Sequence, residues 1–264
     1  MPQITSYAPG TPSWVDLATD DPDASRAFYR SLLGWDYEIG GPETGGYTMC
    51  RLRGLRVAGI WQMMPEMTAE GVPPAWVTYF STNDIDGSVK RITDSGGSLL
   101  NGPMDIMEQG RMAIASDPTG AVFGLWEPAA HIGAELVNEV GALIWNELLT
   151  RDEPAAIAFY TEVFGYTIEA VDVGSTSQYV LLKVDDRPIG GLMSMPPEVP
   201  DEVPSYWGTC FAVADTDASV QVAQDAGGTL TYGPEDSPYG RIAILTDPQG
   251  AVVSIIGVGE DAPD

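Results

Sequence analysis

The sequence predicts an α+β fold of four βαβββ units, two to each half, with each half forming one cup-shaped mixed sheet. Three observations predict it. The stretch Ser13 to Gly34 recurs as Ile144 to Gly165, pairing Trp14 with Trp145, Asp21 with Asp152 and Phe28-Tyr29 with Phe159-Tyr160 at a constant offset of 131. An offset held through a strand-like segment, a cap and a helix-like segment marks duplication of a folded unit. Within each half, strand-like and helix-like patterns then alternate in one order twice over.

The repeat extends along the chain. Trp76 meets Trp207, Asp84 and Asp86 meet Asp215 and Asp217, and Gly96-Gly97 meets Gly227-Gly228. Gly110-Arg111 and Asp117-Pro118 meet Gly240-Arg241 and Asp247-Pro248 at 130, one residue having been lost from a loop. Loops accept such changes cheaply. The expected halves are residues 1–131 and 132–264.

In the first half, Trp14, Asp16 and Ala18 alternate with Val15, Leu17 and Thr19, a strand pattern with one apolar face. Asp21-Pro22 follows as an N-cap and first helical residue, Ala24, Phe28 and Leu32 form a buried stripe, and Gly34 ends the helix. Strands are expected over Asp36 to Ile39, Tyr47 to Leu52 and Val57 to Met63. After Pro73-Pro74, Trp76 to Thr82 reads as a strand, Ile85 to Thr93 as a helix stopped by Gly96-Gly97, and Ser98 to Leu100, Arg111 to Ser116 and Val122 to Trp126 as strands. The second half repeats this from Ile144 to Ile256, with Glu127 to Gly141 as linker.

With 264 residues, 12 Lys plus Arg and 38 Asp plus Glu, the chain carries a net charge of −26. Such a field repels phosphate backbones and anionic lipid, so neither nucleic acid nor a membrane is an expected partner. No apolar run is long enough to cross a bilayer and no export signal is evident, which makes the cytoplasm the expected location. Cys50 and Cys210 do not occupy matching repeat positions and imply no disulfide.

The pattern D-x-x-x-x-x-A-FY-x-x-x-x-G, carried here by Asp21, Ala27, Phe28-Tyr29 and Gly34 and by Asp152, Ala158, Phe159-Tyr160 and Gly165, is followed in each half by DPxG, at Asp117 to Gly120 and Asp247 to Gly250. Together they resemble the vicinal oxygen chelate superfamily, which holds glyoxalase I, extradiol dioxygenases and bleomycin-resistance proteins. The fused layout looks most like two-domain glyoxalase-like proteins of actinobacteria, often labelled hydroxylases. The resemblance implies that two βαβββ units join edge to edge around a cup, and that metal enzymes of the family set His on early strands and Glu on the last strand of a domain. Carried over, those positions fall on Trp14 and Trp145, near Val77 and Gly208, and on Gly124 and Ser254. His131, in the linker, is the one histidine, so no metal and no cofactor are expected.

The side chains expected on the cup faces are Trp14, Asp16 and Trp76 in the first half and Trp145, Glu147 and Trp207 in the second, with Arg111 and Arg241 opening later strands. A carboxylate among Trp walls suits a flat aromatic or cationic small molecule. Each residue has a plainer alternative: the Trp rings as core, and the arginines as structural partners of Asp16 and Glu147. Gly208 opposite Val77 predicts a roomier second cup. The expected function is metal-independent binding of such a ligand. The alternatives are a glyoxalase-like lyase or isomerase using Asp16 or Glu147 as base, or an accessory enzyme of secondary metabolism. Fusion lets the halves act as a built-in pseudo-dimer in a monomer. Further homodimerisation and catalysis are left open.

Overall fold

The computed structural model describes residues 3–171, 179–197 and 199–258. The first half runs β1 (Pro12–Thr19), α1 (Pro22–Leu33), β2 (Asp36–Ile39), β3 (Thr48–Leu52), β4 (Leu55–Gln62), α2 (Pro65–Ala69), β5 (Ala75–Ser81), α3 (Ile85–Asp94), β6 (Ser98–Ile106), β7 (Gly110–Ser116) and β8 (Val122–Pro128). The second half runs β9 (Leu143–Thr150), α4 (Glu153–Phe164), β10 (Thr167–Val171), β11 (Tyr179–Val184), β12 (Arg187–Ser194), β13 (Tyr206–Val213), α5 (Thr216–Asp225), β14 (Thr229–Ser237), β15 (Gly240–Thr246) and β16 (Val252–Gly257). Each half forms one eight-stranded sheet, in the orders β2-β3-β4-β1-β5-β8-β7-β6 and β10-β11-β12-β9-β13-β16-β15-β14. The tandem βαβββ architecture holds as expected.

Local chemistry sets the boundaries. Asp21 accepts from Ala24 N and Asp152 from Ala155 N at the starts of α1 and α4, and Gly34 and Gly165 end both helices in the left-handed conformation that glycine adopts freely. The short helix α2 falls where no element was expected. Strand β6 runs to Ile106, well beyond Leu100, pairing with β7 as far as Ile106 and Gly110 across two register shifts. It is an edge strand, so Pro103 costs it no ladder bond, and Met104 to Ile106 belong to the strand rather than to a loop.

The two sheets share their interiors. One core joins Val15, Leu17, Phe28, Tyr29, Trp35 and Trp76 of the first half to Phe211, Val213, Val220 and Leu245 of the second. Its pseudo-symmetric twin joins Phe80, Ile85 and Phe123 to Leu148, Phe159, Tyr160 and Trp207. The motif residues bind the halves together. Tyr29 donates to Asp247 Oδ2 of the opposite DPxG turn at 3.2 Å and accepts from Trp76 Nε1 at 2.9 Å. Tyr160 accepts from Trp207 Nε1 at 2.7 Å and faces Asp117, but Asp117 Oδ2 has no hydrogen-bond partner, so that contact is charge to dipole rather than a formed bond. Asn146 Nδ2 donates to Thr78 Oγ1 at 2.8 Å between the halves; Val15 and Thr209 stand at the matching positions, and there Thr209 Oγ1 is buried without a partner.

Trp76 and Trp207 therefore lie in the shared interior, not on the cup faces. Along β5 and β13, alternate residues face opposite ways, and the Trp positions share a face with Phe80 and Phe211. The expectation of one apolar face on β1 also needs correcting, since all eight of its residues are buried.

Tyr29→Phe leaves both Trp76 Nε1 and Asp247 Oδ2 short of a partner, whereas Tyr160→Phe deprives only Trp207 Nε1. Denaturant unfolding should show Tyr29→Phe destabilising by about 1–3 kcal/mol, and by more than Tyr160→Phe.

Candidate functional site

The cup faces lie on the sides of the sheets away from the shared cores. In the first half, Asp16 sits at the centre of β1. Tyr47 donates its hydroxyl to Asp16 Oδ2 at 3.2 Å, Trp61 Nε1 reaches Oδ1 at 3.3 Å, and Trp14 Nε1 donates to the Tyr47 hydroxyl at 2.9 Å. Tyr79 also faces Asp16. Gly59 faces Asp16 in register and makes room for the Tyr47 hydroxyl, which would lie 1.9 Å from a Cβ there. Desolvation raises the Asp16 pKa to about 7 against the opposing pull of these donors.

The same relay recurs in the second cup. Trp145 Nε1 donates to the Tyr179 hydroxyl at 2.8 Å, Tyr179 faces Glu147, and Gly191 leaves the space that Gly59 leaves in the first half. Burial raises the Glu147 pKa as well, although its side chain keeps some exposure. A Trp–Tyr–acid relay over a glycine is thus built into both cups. The sequence carries the signal, since Tyr47 and Gly59 meet Tyr179 and Gly191 at one offset of 132, although nothing local to either tyrosine marks the acid it faces.

The cups differ in what surrounds the relay. The first is filled: Trp14, Asp16, Tyr79 and Trp126 are 4%, 5%, 6% and 7% exposed. The linker closes it. His131 packs edge-on against Trp14 with ring centroids 4.5 Å apart, Trp126 Nε1 donates to His131 O, and Ala134 N donates to Ser13 O. Burial and the neighbouring Arg56 lower the His131 pKa to about 4, so the ring is neutral, and its Nε2 has no partner. In the second cup, Trp61, Val77, Tyr79 and Trp126 are answered by Met193, Gly208, Cys210 and Ile256. Three aromatic rings are gone and one is gained, since Tyr206 stands where the first half has Ala75, beside Gly208 and within range of Glu147; Trp145, Glu147 and Tyr179 are only partly buried.

Arg111 and Arg241 are not in the cups. Arg111 pairs with Asp86 at 2.8 Å, Asp105 at 3.3 Å and Glu127 at 3.6 Å, and Arg241 with Asp217 and Asp236 at 2.6 and 3.0 Å. Each stands on the helical face of its strand, so neither reaches Asp16 or Glu147. The acids are satisfied by Tyr and Trp donors instead.

The positions assigned to metal ligands by resemblance also become concrete. Trp14 and Gly124 both pair with Tyr79 across β1, β5 and β8, while Val77 pairs with Asp16; the second-half row is Trp145, Cys210 and Ser254. Neither row supplies imidazoles or a carboxylate, and burial keeps Tyr79 and Cys210 protonated. Among the described residues no three His, Cys, Asp or Glu side chains converge. The residues present do not fit a divalent metal bound as the family binds it.

Comparisons place the chain among known proteins. A model of the glyoxalase/bleomycin resistance protein/dioxygenase superfamily matches residues 11–125 and again 140–255. CFP32 of Mycobacterium tuberculosis, whose name carries a provisional glyoxylase label, is 44% identical over 259 residues, spanning 97% of this chain and 98% of that one. The anthracycline biosynthesis protein DnrV of Streptomyces peucetius is 35% identical over 271 residues, spanning 98% of each. Among solved structures, the 2,2',3-trihydroxybiphenyl 1,2-dioxygenase of Sphingomonas wittichii strain RW1 gives a TM-score of 0.64 at 12% identity, covering 95% of this chain and 91% of that one. The Mn(II)-bound glyoxalase of Novosphingobium aromaticivorans gives 0.63 at 13% identity, covering 94% and 82%. At such identities the shared property is the fold.

Asp16 offers a pH test. Its pKa is higher folded than unfolded, so between about pH 4 and 7 the folded state holds more protons and stability falls as pH rises. Asp16→Asn should flatten that slope and be the more stable protein at pH 8, by on the order of 4 kcal/mol at most, as read from denaturant unfolding of both proteins across the range.

Proposed function

The chain belongs to the glyoxalase/bleomycin resistance protein/dioxygenase superfamily, and within it we propose that this protein binds a planar aromatic small molecule in its second cup without using a metal. One observation carries the reading: the two cups share the Trp–Tyr–acid arrangement, but the second replaces Trp61, Tyr79 and Trp126 of the first by Met193, Cys210 and Ile256 and sets Tyr206 where the first has Ala75. Trp145 and Tyr206 supply aromatic faces, the Tyr179 hydroxyl and Glu147 supply hydrogen-bonding groups, and Met193, Gly208 and Ile256 present smaller or more adaptable side chains than Trp61, Val77 and Trp126. The first cup, closed by its own side chains and the linker, is the structural copy.

Two considerations favour a polycyclic aromatic ligand. Trp145 and Tyr206 both stand near Glu147, so the second cup offers two aromatic walls beside one acid. A relative that spans almost the whole chain at 35% identity is named for anthracycline biosynthesis. A second reading, catalysis, is favoured by Glu147 itself. An acid with a raised pKa beside an open wall can act as a general base, and Tyr179 would orient it and hold the proton on the far oxygen. Ligand binding underlies both.

Titration with an aminated hydroxyanthraquinone should quench intrinsic Trp fluorescence in a saturable way that excess EDTA leaves unchanged. Trp145→Ala and Glu147→Gln should each weaken binding several-fold, a lost stacking contact being worth about 1 kcal/mol. Asp16→Asn should leave it unaltered. Equal losses from both cups, or binding abolished by EDTA, would remove this reading.

A further inference from the structure

Between the halves lies an open cleft of about 160 Å³, lined by Ile144, Trp145, Pro188 and Ile189 of the second half and closed on the other side by Tyr7 and Val137. By the repeat, Ile144 and Trp145 answer Ser13 and Trp14, and Pro188 and Ile189 answer Arg56 and Val57. Those first-half residues are the ones over which the linker lies. Ala134 N donates to Ser13 O at 2.7 Å, Glu135 N donates to Arg56 O at 2.8 Å, and the His131 ring stands edge-on to Trp14 with Arg56 Nη1 3.1 Å from its Nδ1. The linker runs so close that a Cβ on Gly133, whose φ is 109°, would sit 2.3 Å from Ser13 O. The first half thus displays a filled groove, and among the described residues nothing fills the matching groove of the second half.

From this pairing we infer that the open groove beside Trp145 is a docking subsite for a small molecule that presents an uncharged planar ring next to an amide N–H. The inference rests on the reading of the second half as the binding half and names a further part of its ligand. The filled groove supplies the chemistry. Its occupant offers a neutral ring edge to the Trp face and two amide N–H groups to strand-end carbonyls, whose counterparts are Ile144 O and Pro188 O. No residue lining the open groove carries a formal charge, and its one titratable group, Tyr7, donates its hydroxyl to Ala134 O and stays protonated. A charged ring would lose its hydration there without a counter-ion. The volume equals that of about five waters, enough for a five- or six-membered ring with a short substituent.

Nα-acetylhistidine methylamide is a direct probe, because its ring is neutral at pH 8 and protonated at pH 5. Trp fluorescence and the Trp145 indole N–H resonance should show saturable binding at pH 8 that weakens at least fivefold at pH 5. The phenylalanine analogue should bind equally at both. Pro188→Arg, a change at an exposed position that restores the Arg56 counterpart, should tighten histidine-probe binding at pH 8 several-fold; Ile189→Trp, which fills the groove, should abolish it. Glu147→Gln should impair anthraquinone binding in the cup and spare the probe, separating failure of the groove from failure of the cup. No saturable binding at pH 8, or binding untouched by both groove variants, would overturn the inference.

Discussion

Each half of this protein covers its helical face with the other half, and that exchange of apolar surface is the constraint on which the rest depends. Helix α1 presents Phe28 and Tyr29 to a core completed by Phe211 and Leu245 from across the molecule, and α4 presents Phe159 and Tyr160 to one completed by Phe80 and Phe123. A single curved sheet with two helices on its back would leave such rings in water. The buried Tyr29–Asp247 bond then fixes how the faces meet, because a polar pair in an apolar interior tolerates little displacement. Both FY pairs and both DPxG turns are spent on this junction.

Because the shared faces are committed to each other, the cup faces are where the copies are free to differ. The sheet backbone and the Trp–Tyr–acid relay persist in both, yet the side chains above the relay do not. Trp61, Tyr79 and Trp126 make the first cup an extension of the core; Met193, Cys210 and Ile256 undo that in the second. Burial of an acid beneath hydroxyl and indole donors, with no cation in reach, accounts for the raised pKa of both Asp16 and Glu147. In the closed cup such a group costs stability at neutral pH. In the more open one it is available to a ligand.

Much of the fold was legible because its signals are local. Capping Asp, terminal Gly and alternating strands name their own elements, and a second copy of each confirms the register. The site was legible only in part. Trp14, Asp16, Trp145 and Glu147 lie on the cup faces as their alternation with core residues requires, but Trp76 and Trp207 lie on the opposite face. Placing them needs the register of β5 against β1, in which Asp16 meets Val77 and Leu17 meets Trp76, and pairing between strands is not written in either strand alone. The arginines were misplaced for the same reason. Tyr47, Tyr179 and the packing of His131 escape a sequence reading because contacts across 31 to 117 residues leave no local trace, although the repeat does mark the tyrosines.

The linker has a consequence for how this chain can be divided. Residues 131–135 are covalently a bridge but structurally a component of the first sheet's surface, held by Ser13 and Arg56. Chain length between the halves is therefore not slack. An insertion there would not simply lengthen a tether; it would pull the stopper from one vessel while leaving the other as it was. The two copies are unequal in autonomy for that reason. One carries its own closure in its connection to its neighbour, so the modern chain cannot be returned to two interchangeable subunits by cutting it in the middle.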